Sequence, residues 1–282
     1  MMGSITQRVM SSAVICALIL CGAAPASAGL SLVMVGDWGG HNDTDPTTPG
    51  QVSTASGMAS VAASLGADTV ILLGDNFYYE GVTTADSRRF NDTFEQVYTP
   101  ELYGDDTTFW AIAGNHDHKG NVSAQIEHST MSERWNFPSH YYKKAWSWVA
   151  DDGITGRTAE LLLLDTAILC GESDVYDEAT GEWQTLTGAE LPGPFYPEAA
   201  KAQWEWLEAA LEESTADFLW VGGHYPIFSA GNDGTVPLLV DKLLPLLAAH
   251  GAHYVSGHDH MFEHIVAPRF PNTNMFLAGV RR

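Results

Sequence analysis

The stretch "AGNHDH" (113–118) sets an Asn, two His and an Asp in four consecutive positions. Each of these side chains can bind a metal ion or move a proton, but one turn of chain cannot aim all four at one point. Four further stretches share its composition. They are Gly36-Asp37, Gly74-Asp75-Asn76, Gly223-His224 and Gly257-His258-Asp259-His260, and each sets a glycine just before a potential ligand. Alone, a Gly-Asp is a turn and a His-x-His is a weak signal. Together the five need one explanation, because polar groups at such places must find partners. The residue types point to bound metal: Asp suits a hard trivalent ion, while His and the Asn carbonyl suit a divalent one.

These clusters follow strands. Apolar runs bounded by turn residues predict buried strands at 30–36, 68–74, 107–114, 157–165, 217–223, 253–257 and 274–279. Between them, helical spacing predicts helices over 51–65, 86–98, 198–214 and 236–250. The third places Trp204, Leu207 and Leu211 on one face, and Pro245 bends the last. The stretch 171–197, acidic and rich in Gly and Pro, is the longest without regular pattern. Alternating strands and helices predict an α/β fold, whose sites lie beyond the carboxyl ends of the strands. The five clusters sit there, and the preceding glycines permit sharp turns and close approach. His258 and His260 lie two apart, so their loop must turn sharply for both to reach one centre.

The 282 residues hold no repeat and no Pro/Gly/Ser linker, which fits one large domain, 29–282, after a leader. Residues 1–28 read as a secretory signal: Arg8 is basic, Val14 to Leu20 is apolar, and Ala26-Ser27-Ala28 is a small-residue cleavage site. The apolar part is too short to span a membrane. Cys16 and Cys21 leave with it. Cys170 is then alone, either buried or paired with another chain, and its place after an apolar run favours burial. A net charge of −22 argues against nucleic acid and anionic membrane as partners. Asn42, Asn91 and Asn121 head N-x-S/T triplets and are candidate glycosylation sites.

"GDWGG" (36–40), "GDNFYYEGV" (74–82), "GNHDH" (114–118), "GGHYPIFS" (222–229) and "SGHDH" (256–260) resemble the motifs of the purple acid phosphatases, within the calcineurin-like metallophosphoesterases. The likeness is to the small tartrate-resistant animal type. "GNVSAQI" (120–126) and "RWNFPSHYY" (134–142) extend it. The resemblance implies a four-layer α/β/β/α sandwich of two packed mixed β-sheets flanked by helices. It also implies two metal ions. Asp37, Asp75, Tyr78 and His260 would hold Fe(III). Asp75, Asn115, His224 and His258 would hold Fe(II), Zn(II) or Mn(II), with Asp75 bridging. His116 would be catalytic, and Asp117 would orient a neighbour. His118 is either a loop histidine in a hydrogen bond or part of the site. Phe77 and Tyr79, flanking Tyr78, are expected to pack on the core.

The implied activity is hydrolysis of phosphate monoesters, small or protein-borne, by attack of a metal-bound hydroxide while His116 protonates the leaving oxygen. An acidic optimum follows. The implied protein is a secreted or lysosomal, monomeric enzyme. Two alternatives remain: a divalent-metal phosphodiesterase of the same superfamily, or a non-catalytic secreted protein that binds metal and phosphate. The chain departs from the family pattern in several places. Residues 233–243 hold no cysteine to pair with Cys170. "SAGNDG" (229–234) offers Asn232 and Asp233 where relatives carry another histidine. The sequence stops soon after "NMFLAGV": either it is a fragment or the sheet ends early, with truncated C-terminal strands that could leave an exposed edge. The stretch 171–197 is either a cover for the site or an ordinary loop.

Overall fold

Each apolar run forms a strand slightly shorter than itself, and the glycine at its end falls outside, where the turn begins. The computed structural model describes residues 29–150, 153–170 and 197–280, with four short strands at 6–9, 17–19, 173–177 and 182–186. Along the first half lie β1 (Thr6–Val9), β2 (Ala17–Ile19), β3 (Ser31–Val35), β4 (Thr69–Leu72), β5 (Thr108–Ala111) and β6 (Trp135–Asn136). The second half holds β7 (Tyr142–Val149), β8 (Gly156–Leu163), β9 (Ser173–Asp177), β10 (Glu182–Leu186), β11 (Phe218–Gly222), β12 (His253–Ser256), β13 (Phe262–Val266) and β14 (Asn274–Ala278). One sheet runs β2-β3-β4-β5-β6 and is parallel except at β2. The other runs β1-β13-β14-β12-β11-β8-β7. It is parallel from β8 to β14 and antiparallel at β1, β13 and β7.

Side-chain alternation assigns the layers. Leu161 and Leu163 of β8 and Val255 of β12 join an apolar cluster with Val33, Ile71 and Phe109 of the other sheet. Leu162 and Tyr254, one residue along, join a second cluster under the helices. Trp204, Leu207 and Leu211 of the helix Pro197–Glu213 lie in that cluster, as their spacing predicts. Each such buried Leu contributes roughly 1.5–3 kcal/mol. On the outer face of the five-stranded sheet lies α1 (Pro49–Leu65), through Ala55, Met58 and Ala62. It begins two residues before the predicted start, because Pro49 suits a first helical position and the Thr48 hydroxyl accepts the Gln51 N–H at 3.0 Å. The result is two packed mixed sheets flanked by helices.

Several expectations are corrected. The helix over 86–98 is reduced to a π-type turn at Phe90–Glu95. Over 236–250, a π-type turn (Leu239–Leu243) leads into a helix (Leu244–Ala249), with Pro245 in its first turn, where a missing N–H loses no bond. The stretch 171–197 is not wholly irregular: β9 and β10 pair antiparallel within it. β14 lies between β12 and β13 and is no exposed edge. β7 and β13 were not predicted. They carry Lys143, Lys144, Glu263 and His264, and so lack an apolar run.

Within residues 1–28, read from sequence as a leader, β1 pairs with β13 and β2 with β3. The rest of it, with Ala26-Ser27-Ala28, lies outside the described residues. Cys170 is buried and in no disulfide among the described residues. No helix among those residues is long and apolar enough to cross a membrane.

Candidate metal centre

The five clusters follow β3, β4, β5, β11 and β12 directly, at one end of the molecule. There the two sheets touch. The Gly36 N–H donates to the Ala278 carbonyl at 2.8 Å, and Gly36 bridges Gly279. A Cβ on Gly36 would lie 2.8 Å from Gly257 Cα, so only glycine lets the backbones meet. Across this contact the His258 N–H donates to Asp37 Oδ2 at 2.8 Å. Among the described residues, Asp37, Asp75 and His258 are the non-glycine positions with positive φ, at 61°, 52° and 76°. Backbone of this kind costs about 1–3 kcal/mol per residue and persists where the surroundings hold it. At His258 it is the sharp turn that lets His258 and His260 reach one centre.

Donor atoms of Asp37, Asp75 and His224 lie within 4.8 Å of one another. The His224 ring N–H at Nδ1 donates to the Leu73 carbonyl at 2.8 Å, which leaves a lone pair on Nε2. That nitrogen faces Asn115 Oδ1 at 3.1 Å, Asp75 Oδ1 at 3.4 Å and His258 Nδ1 at 3.3 Å. Two oxygen acceptors around a lone pair make an electron-rich focus that suits a cation. A second focus lies beside it. Tyr78 Oη is 3.1 Å from Asp37 Oδ1 and 3.2 Å from His260 Nε2, and His260 Nε2 is 3.7 Å from Asp37 Oδ1. Its donors are a carboxylate, a phenol and an imidazole, the harder set of the two. The seven predicted residues therefore lie in two adjacent groups, with Asp75 in the first and within 4.8 Å of Asp37 in the second, and their chemistry fits two metal ions.

Burial shapes the charges. It pushes the His258 pKa down to about 4, helped by neighbouring His224, and lowers that of His224 against the pull of Asp75. Both shifts favour the neutral imidazole, the form in which a ligand binds. Burial would raise the Asp75 carboxyl, but His224, His116 and His258 outweigh it and hold Asp75 well below the usual carboxylate range. A Cβ on Gly114 would lie 2.3 Å from Asp75 Oδ1, so this carboxylate is packed against bare backbone.

The neighbours divide their tasks. The His116 backbone N–H donates to Asp75 Oδ1 at 3.0 Å, and its ring lies 4.6 Å from that of Tyr78. The ring N–H at Nδ1 donates to the Tyr79 carbonyl at 2.6 Å, so proton exchange falls to Nε2. Asp117 is buried and accepts from the N–H groups of Asn76, Phe77 and Gly114 and from Gln125 Nε2. It ties the loop after β4 to the loop after β5. Burial and the nearby Asp75 charge push its pKa up to about 7. Phe77 is buried as expected, but Tyr79 is not: it is 42% exposed, with its ring 5.0 Å from His41. Asn91 and Asn121 are exposed, and Asn42 is half-buried in a turn where its side chain accepts the N–H groups of Thr44 and Asp45.

His118 points elsewhere. It pairs with buried Asp165, at 2.8 Å, and His140 reaches the same carboxylate oxygen at 2.8 Å. Sequence reasoning missed both partners. Asp165 also ends an apolar run, but no glycine precedes it.

Residues 30–262 match the model of the calcineurin-like phosphoesterase family. The chain is 40% identical to the tartrate-resistant acid phosphatase type 5 of Rattus norvegicus, over 86% of this chain and 69% of that protein. It is 30% identical to purple acid phosphatase 3 of Arabidopsis thaliana, over 84% of this chain and 59% of the other. A solved structure described as GAP50, the anchor in the inner membrane complex of Plasmodium, shares the fold with a TM-score of 0.72. At 23% identity it covers 89% of this chain and 71% of its own. The chain therefore belongs to the calcineurin-like phosphoesterase family, as a metal-dependent phosphatase related to the purple acid phosphatases.

Proposed function

We propose that the protein is an exported acid phosphatase that hydrolyses phosphate monoesters at a dinuclear Fe(III)–M(II) centre. The observation that carries this reading is the pair of adjacent electron-rich foci, with Asp75 in one and within 4.8 Å of Asp37 in the other. Asp37, Tyr78 and His260 would hold the ferric ion, and Asn115, His224 and His258 a divalent one. When bound, such a pair supplies Lewis-acid charge on the phosphate and a nucleophile from water. The chain's residues do the rest. Asp75 supplies the negative charge that lets two cations sit together. His116, anchored at Nδ1, presents Nε2 to protonate the leaving oxygen, which favours acid. The leader would direct export, with Asn42, Asn91 and Asn121 as glycan acceptors, and the enzyme would act as a monomer.

A cleft of about 600 Å³ opens along Tyr78 and Tyr79 and carries Asp43 and Glu80 with Arg89 and Lys119. Both signs of charge line it, so the acidity of the whole chain is not concentrated there.

Colour tests the metal assignment. Purified protein should absorb in the visible through phenolate on ferric iron. Tyr78→Phe should lose that band yet retain iron by elemental analysis. A colourless, active protein that holds only manganese or zinc would favour the phosphodiesterase reading, and faster turnover of a diester than a monoester would complete the case. His116→Ala should lower kcat by about 10²–10⁴-fold on alkyl phosphates, and far less on aryl phosphates with acidic phenols, which leave without a proton. An equal loss on both would remove His116 from the role of acid.

A further inference from the structure

Away from the two foci, the register of the β7–β8 hairpin creates a second cluster. Tyr142 lies opposite Leu163, so continuing the pairing two residues outward sets His140 opposite Asp165. The turn after β5 brings His118 to the same place. His118 Nε2 lies 2.9 Å and 2.8 Å from the two Asp165 oxygens, and His140 Nδ1 lies 2.8 Å from Oδ2. One donor atom from each residue falls within 4.8 Å of the others. With zinc–nitrogen bonds of about 2.0–2.1 Å, neighbouring donors stand roughly 2.9 Å apart at right angles and roughly 3.4 Å apart in a tetrahedron. The carboxylate already lies at about such a spacing from each imidazole, and the two imidazole nitrogens, within 4.8 Å of each other, would close toward it on binding.

We propose that His118, His140 and Asp165 bind a single divalent transition-metal ion of the zinc class, separate from the dinuclear centre. Two imidazoles and one carboxylate, with open positions for water, are a common donor set for such ions. The carboxylate is held from behind. Its Oδ1 accepts the Ile168 N–H at 3.1 Å, and Gln203 grips the Asp165 backbone through two bonds of 2.9 Å. Outer contacts of this kind fix a ligand's direction. Entry runs past His140, whose side chain is 35% exposed, while Asp165 is fully buried. In the metal-free state each imidazole can donate a ring N–H to the carboxylate; binding forms two nitrogen–metal bonds, and the displaced proton moves to the other ring nitrogen of a neutral imidazole or leaves to solvent from a protonated one. The next residue, Thr166, accepts the N–H groups of His224 and Tyr225 at 3.1 and 2.9 Å. The ion would therefore stiffen the backbone that carries His224. No donor is shared with the two foci, so the site stands whether or not the phosphatase assignment does.

The test uses the full chain, saturated with Zn²⁺ and dialysed, with metal counted by elemental analysis. Wild type should hold one ion more per chain than His140→Ala. Calorimetric titration of wild type with Zn²⁺ should show a binding phase absent from the variant. Co²⁺ in place of Zn²⁺ should add a visible band that His140→Ala lacks. His140→Gln keeps a hydrogen-bond donor to Asp165 and should also lose the ion. Equal metal content in wild type and both variants, or proton resonances on His118 Nε2 and His140 Nδ1 that persist under excess Zn²⁺, overturns the proposal.

Discussion

Asp75→Asn leaves a folded protein that turns over aryl phosphates at least on the order of 10³-fold more slowly, the scale lost when a preorganised charge partner leaves an active site. Asp75 is buried, with Oδ1 facing both His224 Nε2 and the His116 N–H. Its neighbours hold it ionised. An amide there keeps the shape and removes the charge that would separate two cations. Metal content should drop from two ions to one or none at the dinuclear centre, while far-ultraviolet dichroism stays unchanged. A variant that retained both ions and full turnover would remove Asp75 from the bridging position and, with it, the proposed reaction.

Asp165→Ala acts on stability instead. Asp165 caps the short helix Thr166–Cys170 through Ile168 and neutralises His118. Leaving a buried partner uncompensated costs about 3–5 kcal/mol, so the melting temperature should fall by roughly 10 °C for a chain of this size. The sign of the pH dependence follows from the two groups. Burial would lower the His118 pKa, but Asp165 outweighs it and raises it above 6.5. That contribution is complete below pH 6.5 and fades as pH climbs through the raised value. Burial would raise Asp165, but His118 and His140 hold it below 3.8, so its share is present above that pH and fades as pH falls through the lowered value. Without added divalent ions, the melting gap between wild type and Asp165→Asn should be widest between about pH 4 and 6.5. A gap that is the same at pH 5 and pH 9 would show that the charges contribute nothing.

The strands that deliver ligands were legible because they are apolar throughout and end at glycine. β4 is buried at every residue, and its run "DTVILLG" shows it. β7 was hidden because only alternate residues face inward, and Lys143 and Lys144 break the run. Asp37 and Asp75 were legible as candidate ligands from their place after a glycine. The aim of Tyr79 was not, since an aromatic between two others reads as core until the turn is known. The Asp165 cluster was illegible for a different reason. Its members lie 25 and 47 residues from Asp165 along the chain, and only strand register and the turn after β5 set them together.

Asp37, Asp75 and Asn115 hang from the five-stranded sheet, and His224, His258 and His260 from the seven-stranded one. Ions seated among them would rivet the two halves of the molecule across the glycine seam. Chelation would then do more than silence an enzyme: it would unfasten the halves. An occupant present at 100 times its dissociation constant adds about 2.7 kcal/mol to the folded state. The lifetime of the protein would accordingly track the local supply of metal.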